Sequence, residues 1–491
     1  MKNIIIYIGL LIVMMLNACI DDESTLDINT LSKIVITTES DTITQDFGFE
    51  LVCKPKEITQ TIEGMELSYE WACNGYSRDQ SGSLTKDPLK VISHERELKY
   101  TFKSLGKYDL RLKVSNAHGS TFKYLTVFVR AAFEEGYFVL SKDQSGKGRV
   151  SFMRILSKEE IDTGKEEQFL TTAFSMVNPT YPLNDPVGAC MAGLNIYLVS
   201  GNDRLLYSID AQTFDVLGVT DFKTDFPWMK PKAMLRKNDG NGKAMVFSET
   251  GGFLWIDYYS AVAFEDYHVF PDRNHFSRYF MRNEKYYDFT FYINDEDGKV
   301  AFSYWAPYYD VVWREFPGEE LIAVVMDEDR VTWTVTRDVV HPEHLRIASS
   351  GFDSSEKNPW MNPEVYEYDD PEPTLTRNSQ VLCNKLYNGV LFYNHANKLY
   401  RWNTGNVTPE LPDKAVITLP ADCEITCFSF SPDFRQIYLG FTKGSLTGLK
   451  GCFYIYDADK IDPQTDDLQL LKHYDGIADD PVQVFYKPVG K

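Results

Sequence analysis

From Ser32 to about Val129, apolar and polar residues alternate with a period of two. Lys33 to Thr38, Phe47 to Cys53, Leu67 to Cys73 around Trp71, Glu97 to Phe102, Tyr108 to Ser115 and Lys123 to Val129 all carry the pattern. Such alternation places one face of a pleated strand against a core and the other in water. Gly and Asn fall between the segments as turn residues. Strands at this spacing over about 100 residues predict a β-sandwich.

After the link Arg130 to Glu135 the texture changes to a recurring unit: an apolar strand, a tight turn, then a second strand ending in an aromatic residue or Asp. Asn195 to Ser200 with Leu205 to Asp210 is the cleanest copy. Ala244 to Ser248 with Gly252 to Asp257, Gly389 to Tyr393 with Lys398 to Trp402, and Gln436 to Gly440 with Cys452 to Asp457 repeat it. Weaker copies start at Gly136 and Lys299. One such unit is too small to bury its own faces, so neighbours must stack and the array must close. From Phe133 to Lys491, roughly 45–50 residues per unit give seven or eight blades of a β-propeller, with seven favoured. The final strand, Val482 to Tyr486, is placed to pair with the first blade and remove its open edge. Further sandwiches in series are the rival reading, but no Pro/Gly-rich linker divides the segment.

The expected architecture is therefore all-β, an N-terminal immunoglobulin-like sandwich over 32–131 followed by a propeller over 132–491. Two stretches interrupt the repeat. Asp257 to Phe316 is dense in aromatics and peaks at Tyr304-Trp305-Ala306-Pro307-Tyr308-Tyr309. Ser349 to Thr376 is polar and acidic around Trp360, Tyr366 and Tyr368, and reads as a long loop.

The first residues have a different pattern. Lys2 precedes an apolar run, Ile4 to Leu16, broken only by Tyr7 and Gly9. That run is shorter than the roughly 20 residues a membrane-spanning helix needs, and its flanks are those of a secretory signal. Leu16-Asn17-Ala18-Cys19 reads as a lipobox. Residues 1–18 are then a signal peptide, Cys19 the acylated first mature residue, and 19–31 a tether. The plain alternative is an ordinary signal peptide that contains a cysteine. Several acyl chains anchor stably, because each buried methylene adds roughly 0.8 kcal/mol. Ile20-Asp21-Asp22-Glu23 resembles the acidic export signal of surface lipoproteins in Bacteroidota. It implies a lipid-anchored, cell-surface location on the outer membrane; a solvated linker is the other reading.

Composition narrows the function classes. At 43% hydrophobic and 14% aromatic residues the chain can fill sizeable cores. Its net charge of −21 argues against nucleic acid as a partner, since phosphates would be repelled. Apart from Cys19 the cysteines are scattered, and they read as small buried thiols. Cys423 and Cys427 would lie about 13 Å apart on one strand, too far to pair.

No nucleophile-elbow, zincin or phosphate-loop pattern occurs. His341-Pro-Glu-His344 lacks further zinc ligands and reads as surface loop, and Asp295-Glu-Asp297-Gly298 reads as a hairpin turn. No cofactor or metal is expected, and carboxylate pairs set by separation in space are not legible in sequence. Trp305, Tyr308, Tyr309 and Trp360 are the candidate ligand-binding rings, because they sit in irregular stretches beside Pro or Asn and aromatic faces suit sugars or peptide side chains.

Tyr100-Thr101-Phe102, followed by Leu105-Gly106-Lys107-Tyr108 and the alternating strand to Asn116-Ala117-His118-Gly119, resembles the second half of a PKD domain. Trp71 matches that family's core tryptophan, while the turn Cys73-Asn74-Gly75 is a reduced form of its usual one. Together with the lipobox and the propeller pattern, the chain resembles the PKD-like surface lipoproteins of gut Bacteroidota. The resemblance implies a noncatalytic accessory of a starch-utilisation-type (SusCD-like) importer. Its implied partners are outer-membrane lipid through Cys19, a TonB-dependent channel with its lid lipoprotein, and an oligosaccharide or oligopeptide ligand. A glycan hydrolase or lyase on the propeller, and a protein-binding adhesive or scaffold module, are the alternatives.

Overall fold

The computed structural model describes residues 31–78, 84–162, 164–236, 244–249, 253–257, 262–265, 277–283, 288–304 and 312–489. The chain divides into two compact units, one up to Arg130 and one from Ala131 onward.

In the first unit, a five-stranded sheet takes the order Thr42–Asp46, Gly119–Arg130, Gly106–Asn116, Ser68–Asn74, Lys90–Ser93. Two short antiparallel pairs, Ile34–Thr37 with Glu57–Gln60 and Glu50–Cys53 with Leu98–Thr101, supply further strands. Alternation does what it predicts: Leu110, Leu112 and Val114 enter one core with Ile34, Leu51, Leu98 and Trp71. The buried Trp71 indole donates to the Glu95 carbonyl at 3.0 Å, which satisfies its one polar atom. The hairpin joining the two longest strands turns at Ala117-His118, where the Asn116 side chain accepts from the amides of His118 and Gly119. Tyr108 donates to the Ser104 carbonyl at 2.8 Å and pins the bend before its own strand.

The second unit holds, among the described residues, seven antiparallel sheets arranged as the blades of a propeller. Six are four-stranded, over 186–221, 231–265, 278–315, 319–369, 381–418 and 423–478. The seventh is built from both ends of the unit: Asp480–Lys487 pairs with Gly136–Lys142, which pairs with Gly148–Arg154. Buried side chains join each sheet to the next. Phe133 stacks on Phe214 with ring centroids 4.0 Å apart, and Trp333 meets Trp402 at 5.8 Å. Phe247 meets Tyr279 at 4.7 Å, and Tyr137 meets Tyr438 at 5.4 Å. These contacts run from blade to blade around the ring.

The clear sequence repeats are the second and third strands of their sheets, which are buried on both faces. Three expectations need correction. Lys299–Tyr304 is a third strand, behind Asp288–Asn294, rather than the start of a copy. The aromatic stretch 257–316 contains a blade, 278–315. The supposed loop 349–376 contributes an outer strand, Glu364–Asp369, paired with His344–Gly351. Cys423 and Cys427 share one strand, and no disulfide joins the seven cysteines of the described residues, six of which are buried.

Candidate functional site

The innermost strand of each blade faces the middle of the ring, where the described residues enclose a cavity of about 830 Å³. That lies in the range of ligand pockets, roughly 300–1,000 Å³. Each ladder ends at its inner strand, so the cavity lies along a free strand edge while the strand's faces meet neighbouring blades, as Pro186–Ala192 meets Pro231–Arg236 and Asp480–Lys487.

Five of the inner strands are bulged: the register shifts between Pro186 and Gly188, Pro231 and Ala233, Leu321 and Ala323, Ile425 and Cys427, and Pro481 and Gln483. A bulge re-aims side chains and leaves backbone groups out of the ladder, which need other partners. Neighbouring blades supply them. Gln483 accepts from the Ala189 amide at 2.8 Å, and Gln380 accepts from the Phe428 amide at 2.9 Å. Asn394 donates to the Ile425 carbonyl at 2.8 Å. Arg278 donates to the carbonyls of Leu321 and Ile322.

Arg278 also forms a two-pronged pair with Asp295, at 2.6 and 2.9 Å. Arg377 lies 2.7 Å from Glu320 and 3.8 Å from Asp295. Burial alone would raise the Asp295 carboxyl, but the hydrogen bonds from Arg278 and Ser277 and the charges of Arg278 and Arg377 outweigh it and hold the group below its ordinary value. Asp295 occupies the turn between Asp288–Asn294 and Lys299–Tyr304, as the hairpin reading requires. The lining also includes Lys232, Lys385 and the aromatic residues Tyr279, Phe430, Phe434 and Tyr486. No Asp, Glu or His is among the described lining residues.

Of the rings singled out in the sequence, Trp305, Tyr308 and Tyr309 lie outside the described residues, as does Cys19. Trp360 is 7% exposed and packs 6.1 Å from both Phe291 and Phe302, and it is not itself one of the residues that line the cavity. This corrects the expectation of an exposed ring. Asn358 accepts from the Trp360 amide at 2.9 Å, and the indole reaches the core of the 278–315 blade. His341 is exposed and His344 partly so, and their rings meet Glu343, Glu367 and Asp369. No group of three or more candidate metal ligands occurs among the described residues. Lys232, Arg278, Arg377, Gln380 and Gln483 were not singled out by sequence. A usable signal was present for the last two, since Gln380-Val381-Leu382 and Gln483-Val484-Phe485 repeat one small pattern on two inner strands.

No protein-family model matches the chain, and no curated protein does. Solved structures do. A quinonprotein alcohol dehydrogenase-like protein from Bacteroides thetaiotaomicron superposes with a TM-score of 0.50 at 13% identity, covering 93% of this chain and 99% of that one. The fold is a β-propeller. A putative 6-phosphogluconolactonase from Bacteroides uniformis aligns with 72% of this chain and 100% of its own, at 13% identity and a TM-score of 0.45. At these identities the likeness concerns architecture alone.

Proposed function

We propose that the chain is a noncatalytic lipoprotein of the outer-membrane surface, anchored through Cys19, that captures oligosaccharide in the cavity of its ring. The observation that carries this reading is the character of that cavity. It combines aromatic rings with hydroxyl, amide and cationic groups, and its described lining has no carboxylate or imidazole. Glycoside hydrolysis in its common form needs two carboxyl groups flanking the bond, and general acid–base work most often uses His. Capture needs neither. Aromatic faces and convergent polar groups suffice.

The lipobox, the acidic run Asp21-Asp22-Glu23 and the PKD-like pattern of the first unit support a role beside a TonB-dependent channel and its lid lipoprotein. In the first unit Phe122, Tyr124 and Phe128 share one face of the strand Gly119–Arg130 and are exposed, Tyr124 to 65%. Apolar rings grouped on a surface favour a protein partner as the unit's own contribution.

The test is incubation of purified protein with a panel of oligosaccharides and oligopeptides, reading binding by calorimetry and products by mass spectrometry. Saturable binding of a glycan with no product after prolonged incubation is expected. Catalytic turnover of any bound glycan would replace capture by enzymatic processing.

A further inference from the structure

The cavity's charge runs against that of the chain. Acidic residues number 71 in 491, so 29 lining positions drawn at that frequency would include about four carboxylates; the 29 described lining residues include none. Four are cations: Lys232, Arg278, Arg377 and Lys385. Each four-stranded blade runs up and down from its inner strand, so the inner strands share one direction. Lys232 and Arg278 stand at strand starts and Arg377 just before one, which places them toward one mouth; Lys385 follows its strand, toward the other.

The cations differ in what they already hold. Arg278 and Arg377 are pinned by Asp295 and Glu320, and Glu320 is shared with Arg337. Three guanidinium groups thus meet two carboxylates, and the carboxylates stand behind the lining rather than in it. Lys232 is exposed and has no ion pair among the described residues, whereas its neighbour Lys230 pairs with Glu249 at 3.1 Å. The site therefore offers positive charge, hydrogen-bonding side chains such as Ser277 and Asn378, and aromatic rings, with no fixed negative charge in the described lining.

We infer that the channel selects an anionic glycan, an oligosaccharide carrying carboxylates of the uronate type. This rests on the capture reading above and narrows its ligand. Uronate units bring a flat apolar ring face, hydroxyl groups and a carboxylate, and the lining has a counterpart for each. A peptide brings an ammonium terminus as well, for which the described lining has no anionic partner. Concave walls of low dielectric focus such a field, so an acidic chain can still attract an anion at this place.

The experiment is calorimetric titration of the purified full-length protein with three probes of matched length: uronate oligomers (galacturonate, mannuronate and glucuronate series), a neutral galactan oligomer, and an oligoglutamate peptide. Uronate oligomers are expected to bind most tightly and to weaken as salt rises. Lys232→Gln should weaken uronate about two- to fivefold, the scale of one exposed charge pair, and Lys232→Arg should restore it. Lys232 is exposed, so its replacement should leave thermal unfolding in place. Equal, salt-independent binding of galactan overturns charge selection and leaves capture standing. Tighter binding of oligoglutamate overturns the assignment to sugar. No heat with any of the three overturns the cavity as a capture site.

Discussion

The Tyr486 hydroxyl donates to the Glu135 carboxylate, joining positions 351 residues apart in sequence. It sits at the seam of the ring, where Asp480–Lys487 completes the blade begun by Gly136–Lys142. The same seam stacks Phe485 on Phe138 at 4.7 Å. Removing 480–491 would expose a strand edge and the faces of two blades together. The expected result is loss of the propeller's cooperative unfolding transition in calorimetry, not a small shift. Tyr486→Phe keeps the ring and removes one hydrogen bond to a charged group, so about 1.5–3 kcal/mol should go. An unchanged transition in the truncated chain would refute closure by the terminal strand.

Next to this seam Lys487 is fully buried, with its ammonium donating to the Glu134 carbonyl. Burial, opposed by the charges of Asp210, Glu134 and Glu135, lowers its pKa from 10.5 to about 8. Below about pH 8 both states are protonated and the native state bears the full cost of the buried ammonium. Between about 8 and 10.5 the unfolded chain holds a proton that the native chain has lost. This group's contribution therefore rises with pH across that window, by ~3 kcal/mol in all. Buried tyrosines and thiols with raised pKa act in the opposite sense, but they are common to wild type and Lys487→Met and cancel in the difference. Urea unfolding of both proteins from pH 7 to 10.5 should show wild type gaining on the variant. Parallel profiles would mean the ammonium is solvated.

How much of this could be read in advance depends on which faces of a strand are buried. Asn195–Ser200 and Leu205–Asp210 have blade core on both sides, so their sequences are near-continuous apolar runs and the repeat stands out. The inner strands carry polar and cationic positions toward the cavity and bulges that break the period, as at Ile425/Cys427, so Lys232 and Arg278 left no regular trace. Trp360 misled because prolines and asparagines around a tryptophan describe its backbone, not where the ring goes. Its burial depends on Phe291 and Phe302, roughly sixty residues earlier, which no local pattern reports.

Trp360→Ala should accordingly destabilise the propeller by about 3–5 kcal/mol, the usual cost of emptying a large aromatic site. Trp360→Phe should be milder, since the indole N–H has no acceptor among the described residues and its removal leaves nothing unpaired. Chemical denaturation measures both. Loss of glycan binding at full stability in Trp360→Ala would instead return this ring to the binding surface.

The lipid anchor has its own test. Cys19→Ala should abolish acyl labelling and release the protein from the membrane fraction or block its processing, because no other residue offers the lipobox thiol. Neutral residues at Asp21, Asp22 and Glu23 should leave labelling intact and protect the protein from protease added to whole cells. Labelling that persists without Cys19 would remove the anchor.

Arg278 connects the stability of the ring to the shape of its mouth. Its guanidinium satisfies the Leu321 and Ile322 carbonyls beside a bulge and neutralises Asp295. Arg278→Ala leaves those carbonyls and a carboxylate half-shielded from water without their partner, so ~3 kcal/mol of stability should be lost, within the range for breaking a buried pair. Arg278→Lys keeps the charge but cannot reproduce the fork and should recover only part. The pH dependence gives a second reading. Asp295 is held below its ordinary carboxyl value, so its contribution is present above about pH 4 and is lost as pH falls through the lower native value. The variant should therefore lose less stability than wild type on acidification, and the two unfolding curves should converge at low pH. If the difference between them is the same at pH 7 and pH 3, the Arg278–Asp295 pair is not what holds this mouth.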